Sequence, residues 1–106
     1  MRKIESQMNK AISRRASWRS ANTRVDYSPI RDASEVYLHN NLIAIVAREG
    51  IQLFDGGWKS KTTKSRLNAI LNTFTMASGR VFAKKFEWFV NTSEGVKEFE
   101  NGMIVA

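Results

Sequence analysis

The chain contains no cysteine, one proline and one histidine among its 106 residues. Without cysteine there is no disulfide, no thiolate metal site and no thiol nucleophile. A small secreted domain usually needs such staples, so a reducing cytosol is the expected compartment. One histidine cannot anchor a histidine-based zinc site, which needs several ligands. No apolar run approaches the roughly 18 residues of a membrane span. The first residues, "MRKIESQMNKAISRR", are basic but lack an apolar stretch, so they do not read as a secretory signal. Internal repeats and low-complexity segments are also missing.

Negative charge is scarce as well: 10 Asp and Glu stand against 17 Lys and Arg, a formal charge of +7. The excess is uneven. Residues 1–24 hold Arg2, Lys3, Lys10, Arg14, Arg15, Arg19 and Arg24 against Glu5 alone. Residues 59–66 hold Lys59, Lys61, Lys64 and Arg66 with no acid between them, whereas residues 86–106 hold Glu87, Glu94, Glu98 and Glu100 against Lys97. Such asymmetry makes a positive face that attracts polyanions or acidic protein surfaces.

Apolar content is sufficient for a core, at 42% hydrophobic residues with 11 aromatics, and the length suits one domain, residues 1–106. Ile4, Met8 and Ile12 recur every four residues and predict a helix over about 2–15 with one narrow apolar stripe. That stripe can dock on a sheet or pair two protomers. Ser17 to Asn22 reads as a connector around Trp18, completing a basic N-terminal unit over residues 1–22. The remainder, 23–106, reads as sheet with a central helix. "TRVDY" is a strand closed by Ser28-Pro29. "EVYLH" and "LIAIVA" form a hairpin through Asn40-Asn41, because asparagine tolerates left-handed backbone. "IQLFD" adds a third strand to the meander. Leu67, Ile70, Leu71 and Phe74 then mark an amphipathic helix over about 62–76, capped by Ser78-Gly79. "RVFAKKFEWFVN" suggests two strands joined through Lys84-Lys85. Asn101-Gly102 suggests a last hairpin pairing 96–99 with 103–105. The order predicts an α+β fold: an N-terminal helix, an antiparallel β-meander, a central amphipathic helix, then further antiparallel strands, with the helices on one face of the sheet.

The segments "VYLHNNLIAIV", "GWKSKTTKSRLNAIL", "FEWFV" and "FENGMIV" occur in this order over roughly residues 35–105. In order and spacing they resemble a set of short bacteriophage and prophage proteins. One departure is Asn101-Gly102, where Asp-Gly is commoner in that pattern. The resemblance implies a phage or prophage origin, hence the host cytoplasm. It supplies no catalytic residue to transfer.

Candidate sites follow from chemistry. "DGGWKSKTTKSR" at 55–66 places two glycines before a basic, hydroxyl-rich helix start. A nucleotide-gripping P-loop requires G-x-x-x-x-G-K-[ST], and no glycine here directly precedes a Lys-Ser/Thr pair. A weaker anion site remains. Ser60, Thr62 or Thr63 can cap the helix, with Thr62 favoured. Lys61, Lys64 and Arg66 then fall in or near the first turn, where each cation opposes the helix dipole by about 0.3–1 kcal/mol. Long side chains that swing into solvent lose most of that cost, so a purely solvated turn is the competing reading. Arg14, Arg15, Arg19 and Arg24, with Trp18 among them, resemble an arginine-plus-aromatic nucleic-acid surface. For Trp18 itself the favoured reading is a lid folded onto the core, because aromatics are most often core, and Trp58 is a second possible aromatic contact. His39 reads as a turn residue rather than a general base. Glu94, Glu98 and Glu100 read as solubilising charge rather than a metal site. Of Phe86, Trp88 and Phe89, at least one is expected at the surface, where it can anchor a protein partner.

No enzymatic constellation or cofactor motif is present. The expected function is binding, through a positive face made by Arg14, Arg15, Arg19, Arg24, Lys59, Lys61, Lys64 and Arg66. The partner is nucleic acid or, alternatively, an acidic host protein or complex that the chain inhibits, in host defence or transcription. Oligomerisation is left open.

Overall fold

A computed structural model of the chain describes residues 1–75 and 79–105. Among these described residues, two helices and nine strands form an α+β architecture whose strand pairs are all antiparallel. Helix α1 (Lys3–Ser13) leads into β1 (Trp18–Ser20), β2 (Thr23–Ser28), β3 (Ala33–Leu38), β4 (Asn41–Ala47) and β5 (Gly50–Leu53). Helix α2 (Lys61–Phe74) follows, then β6 (Arg80–Lys84), β7 (Glu87–Thr92), β8 (Gly95–Glu98) and β9 (Met103–Val105). The strands divide into two sheets, ordered β1-β2-β3-β4-β5-β9 and β6-β7-β8.

The first sheet is the expected meander, β2 to β5, extended by one strand at each edge, β1 and β9. Trp18–Ser20, read from sequence as connector, pairs with β2, Trp18 opposite Val25 and Ser20 opposite Thr23. Trp18 therefore lies on the inner face and packs against the core. The run "LIAIVA" cannot bury two adjacent residues by simple alternation. A bulge solves this. Val36 pairs with Ala44 and Tyr37 with Leu42, which leaves Ile43 between the pairs, and both Ile43 and Ala44 are buried. The hairpin turn sits one residue earlier than expected, at His39-Asn40, with φ of 52° and 64°. Leu38 and Asn41 are its closing pair.

The apolar stripe of α1 closes over this sheet, with Met8 and Ile12 buried in the same core as Val25, Val36, Leu53 and Ile70. Of the two uses that sequence left open for this stripe, docking on the sheet is the one seen for Met8 and Ile12. Asn9 Nδ2 ties α1 to α2 by donating to Ala69 O and Thr73 Oγ1, each at 3.0 Å. Helix α2 starts at Ser60, not Thr62. Ser60 is extended and its Oγ accepts the Thr63 N–H at 3.1 Å. The helix closes at Thr75, whose N–H and hydroxyl both donate to Leu71 O, rather than at the expected Ser78-Gly79 cap. Met76 and Ser78, where sequence placed the helix end and part of that cap, lie outside the described residues.

The second sheet is stapled to α2 by one side chain. Asn68 Nδ2 donates to Val81 O at 3.0 Å, and its Oδ1 accepts the Val81 N–H at 2.7 Å. That pair satisfies backbone groups on the outer edge of β6. The connecting turn falls at Lys85-Phe86 instead of Lys84-Lys85. Trp88 and Val90 face the core, and Trp88 meets Phe99 edge-on at 5.3 Å.

The Asn101-Gly102 hairpin does not form. Its flanking strands belong to different sheets: β8 pairs with β7, and β9 pairs with β5. The turn is a crossover pinned to the end of β5. Gly102 N–H reaches Leu53 O at 2.7 Å, and Gln52 Nε2 reaches Gly102 O at 3.0 Å. Gly102 has φ +86°, which a glycine adopts freely. Every residue of β8 is exposed, so pairing β9 with it would leave Val105 wet. Pairing with β5 buries Val105 opposite Ile51.

Arg66 is 3% exposed and Glu5 is also 3% exposed. Their Nη1 and Oε2 meet at 2.8 Å, and Ser65 Oγ donates to the same oxygen at 2.6 Å. Arg66 Nε donates to Thr23 Oγ1 at 3.1 Å. Loss of one partner strands the other charge in the core. Arg66→Met or Glu5→Leu alone is expected to lower the unfolding free energy in urea by about 3–5 kcal/mol, and the double replacement to recover most of it.

Candidate functional site

Meander connectivity sorts the positive residues by end. The turns β1–β2 at 21–22 and β3–β4 at 39–40 lie at one end of the first sheet, together with the loop 54–60 that leaves β5. The turns at 29–32 and 48–49 lie at the other. Arg19, Lys59, Lys61 and Lys64 belong to the first end, Arg14 and Arg15 to the second. The cations that sequence reading grouped on one face are thus divided.

At the second end two guanidiniums share one carboxylate. Asp32 accepts the Tyr27 hydroxyl at 2.7 Å and lies 3.2 Å from Arg15 Nε and 3.5 Å from Arg48 Nη2. The Tyr27 hydrogen bond, helped by these two guanidiniums, holds the Asp32 carboxyl below its ordinary value. The same bond raises the Tyr27 phenol. The Arg14 side chain has no hydrogen bond or ion pair among the described residues and faces solvent.

At the first end, three of the expected contact residues serve other purposes. Arg66 is the core cation of the Glu5 pair and does not reach the surface. Trp18 is the core-facing lid. Arg24 pairs with Asp26 at 3.0 Å, lies 4.2 Å over the Tyr37 ring and donates to Asn40 Oδ1 at 2.9 Å. It fixes the His39-Asn40 turn. Burial raises the Tyr37 phenol, as do the adjacent Glu35 carboxylate and its hydrogen bond. What remains is Arg19, Lys59, Lys61 and Lys64. None of them has an ion-pair partner among the described residues. Because Ser60 is the cap, Lys61 and Lys64 occupy the first turn of α2, which holds no acid, while Arg66 falls in the second turn.

Trp58 stands among these cations and is 76% exposed. Its loop is nevertheless closely held. Asp55 N–H donates to Asn101 Oδ1 at 2.7 Å, and Gly57 N–H to Asp55 Oδ1 at 2.7 Å. Trp58 N–H reaches Asp55 O at 3.3 Å, and Ser60 N–H reaches Trp58 O at 2.9 Å. Gly56 has φ +70°, and a Cβ there would lie 3.1 Å from Ile43 Cγ2, so the loop presses on β4 as only glycine allows. Between loop and sheet lies a cleft of about 410 Å³. Leu38 and Ile43 line its depth, Asn41 and Asp55 its polar side, and His39 and Trp58 its aromatic rim. A shallower hollow containing Arg19 and Arg24 shares His39.

Sequence reading named Trp58 and the lysines but missed the cleft. Its floor comes from the bulge at Ile43, which pattern alone does not reveal. His39 is a left-handed turn residue at this rim. Another cavity, about 650 Å³, is lined by Glu94, Glu98 and Glu100 against Lys97, an acidic balance that disfavours polyanions. Among the described residues no cluster of three or more His, Asp or Glu could hold a metal ion, and no helix is long and apolar enough to cross a membrane.

The architecture is that of a small basic α+β protein with one cation-rich, tryptophan-bearing end. The chain belongs to the Kyanoviridae Gp96 protein family, a phage protein family whose model matches residues 1–106. No curated protein and no solved structure matches it.

The Asp32 cluster predicts a pH dependence. Its folded-state pKa is lowered from 3.8, so its contribution to stability is complete above that value and is lost as pH falls through the folded pKa. Urea unfolding between pH 7 and pH 2 should show this loss, and Asp32→Asn should flatten that part of the profile.

Proposed function

We propose that this phage protein binds nucleic acid, without catalysis, through the end that carries Arg19, Trp58, Lys59, Lys61 and Lys64. The observation that supports this most directly is the arrangement around Trp58. An apolar ring is held in water by a hydrogen-bonded loop, with Lys59, Lys61 and Lys64 following it in the chain and no acid in the adjoining helical turn. A surface shaped only by stability gains by covering the indole and by placing Asp or Glu at N1–N3. A polyanion with stackable bases accounts for both departures.

A second reading, capture of an acidic host protein, has its own supporting observation. Phe86 is fully exposed at the β6–β7 turn, beside Lys84 and Lys85. Both turn residues hold positive φ, 51° for Lys85 and 68° for Phe86, where side chains are strained by about 1–2 kcal/mol each. Such a tip can anchor in an acid-rimmed apolar pocket. A partner captured from nuclease-treated host lysate by the native chain and absent with Phe86→Ala would support this reading.

The leading proposal is tested by fluorescence anisotropy with labelled DNA and RNA across a salt series. Binding should weaken steeply with salt. Lys59→Gln/Lys61→Gln/Lys64→Gln should flatten the log–log slope by about 0.7–0.9 for each phosphate that is no longer neutralised. Arg14→Gln, at the opposite end, should leave binding unchanged. Binding indifferent to both salt and the triple substitution would refute the proposal.

A further inference from the structure

The cleft between the α2-leading loop and the β3–β4 turn has features that charge alone does not explain. Its volume, about 410 Å³, falls within the roughly 300–1,000 Å³ typical of small-ligand sites. Two ring systems, Trp58 and His39, stand at its rim, and an apolar floor of Leu38 and Ile43 lies beneath. The Asn41 amide carries both donor and acceptor and makes no hydrogen bond to another described side chain. The site is also pre-formed from both sides. Its loop is held by the Asp55 and Asn101 contacts. Its turn is held by His39 N–H to Asn22 O at 2.8 Å and by Arg24 to Asn40 at 2.9 Å. A ligand that enters therefore orders little backbone.

We infer that this cleft takes one unpaired nucleobase, stacked on Trp58, so that the protein selects single-stranded over duplex nucleic acid. The inference rests on the nucleic-acid reading above and narrows it. In a duplex both faces of each base are covered by its neighbours, and phosphate is what the outside offers. Only an unpaired base can lay a free face on the indole while its edge meets the Asn41 amide. Lys59 and Lys61, next to Trp58 in the chain, then meet the flanking phosphates. Stacking is tolerant of base identity, so the preference is for strandedness before sequence.

The test compares oligothymidylate and oligouridylate of about ten nucleotides, a length within the usual site size, with a blunt, fully paired duplex of equal phosphate number. Single strands should bind more tightly than the duplex and quench tryptophan fluorescence. Trp58→Ala should weaken single-strand binding about 10-fold or more while leaving the weaker duplex binding intact. Trp58→Phe should keep most of the affinity and remove the quench. His39→Asn, which retains a residue tolerant of left-handed backbone, should reduce single-strand affinity without unfolding the chain. Equal binding of strand and blunt duplex, or a Trp58→Ala variant with native affinity for both, would overturn the single-base assignment and leave the phosphate-binding proposal standing. Failure of every probe to bind at low salt would overturn both.

Discussion

The Glu5–Arg66 pair is the interaction on which the remaining geometry depends. It joins α1 to α2 in the core, and through Thr23 and Asn22 it also reaches the β1–β2 turn. Two charges at 2.8 Å in a nearly dry setting are a weak source of net stability, because desolvation offsets their attraction. Their value here is positional. Arg66 can satisfy its donors in one arrangement of helix and turn, so the rotation of α2 about its axis is set. That rotation puts Lys61 and Lys64 at the solvent-facing start of the helix and directs Leu67, Ile70 and Leu71 inward.

Around this centre the chain builds two sheets that share one buried core. The first sheet is made mostly of sequence neighbours and carries the cleft. The second is tied to α2 through Asn68, sends Val81, Trp88, Val90 and Phe99 into the shared core, and returns to the first through the turn at Asn101-Gly102. Asn101 also holds Asp55, so the crossover between sheets reaches the loop that displays Trp58. The two surfaces considered for partners, the tryptophan end and the Phe86 tip, therefore belong to different sheets.

Much of the fold was legible because the helices and strands differ in apolar period. Residues 67–74 repeat as a helix and the strands of the meander alternate. Errors gathered where tertiary contacts outrank local preference. Asn101-Gly102 has the chemistry of a hairpin turn, yet the open edge of β5 offers Val105 more burial than β8 does. Asn40-Asn41 is a good turn pair, but the bulge at Ile43 moves the turn to His39. For the site, exposure of Trp58 and the run of lysines followed from composition and the loop pattern. So did the reading of Trp18 as a core lid. The roles of Arg66 and Arg24 did not. An arginine that pairs across 61 residues has the same local signature as one on the surface. Trp18 was placed by strand pairing that its polar neighbours conceal.

The pairing of β9 with β5 has a consequence for how the protein is made. Gln52 and Gly102 are 50 residues apart, and the chain between them forms α2 and the whole second sheet. As the polypeptide leaves the ribosome, β1 to β5 can assemble early from local contacts, but the outer edge of β5 stays unpaired until residues 103–105 arrive. During that interval Ile51 and Leu53 lie along an open strand edge that can recruit another nascent chain. The late strand thus acts as a closing seal, and the hydrogen bonds of Gly102 and Gln52 place it in register when it arrives.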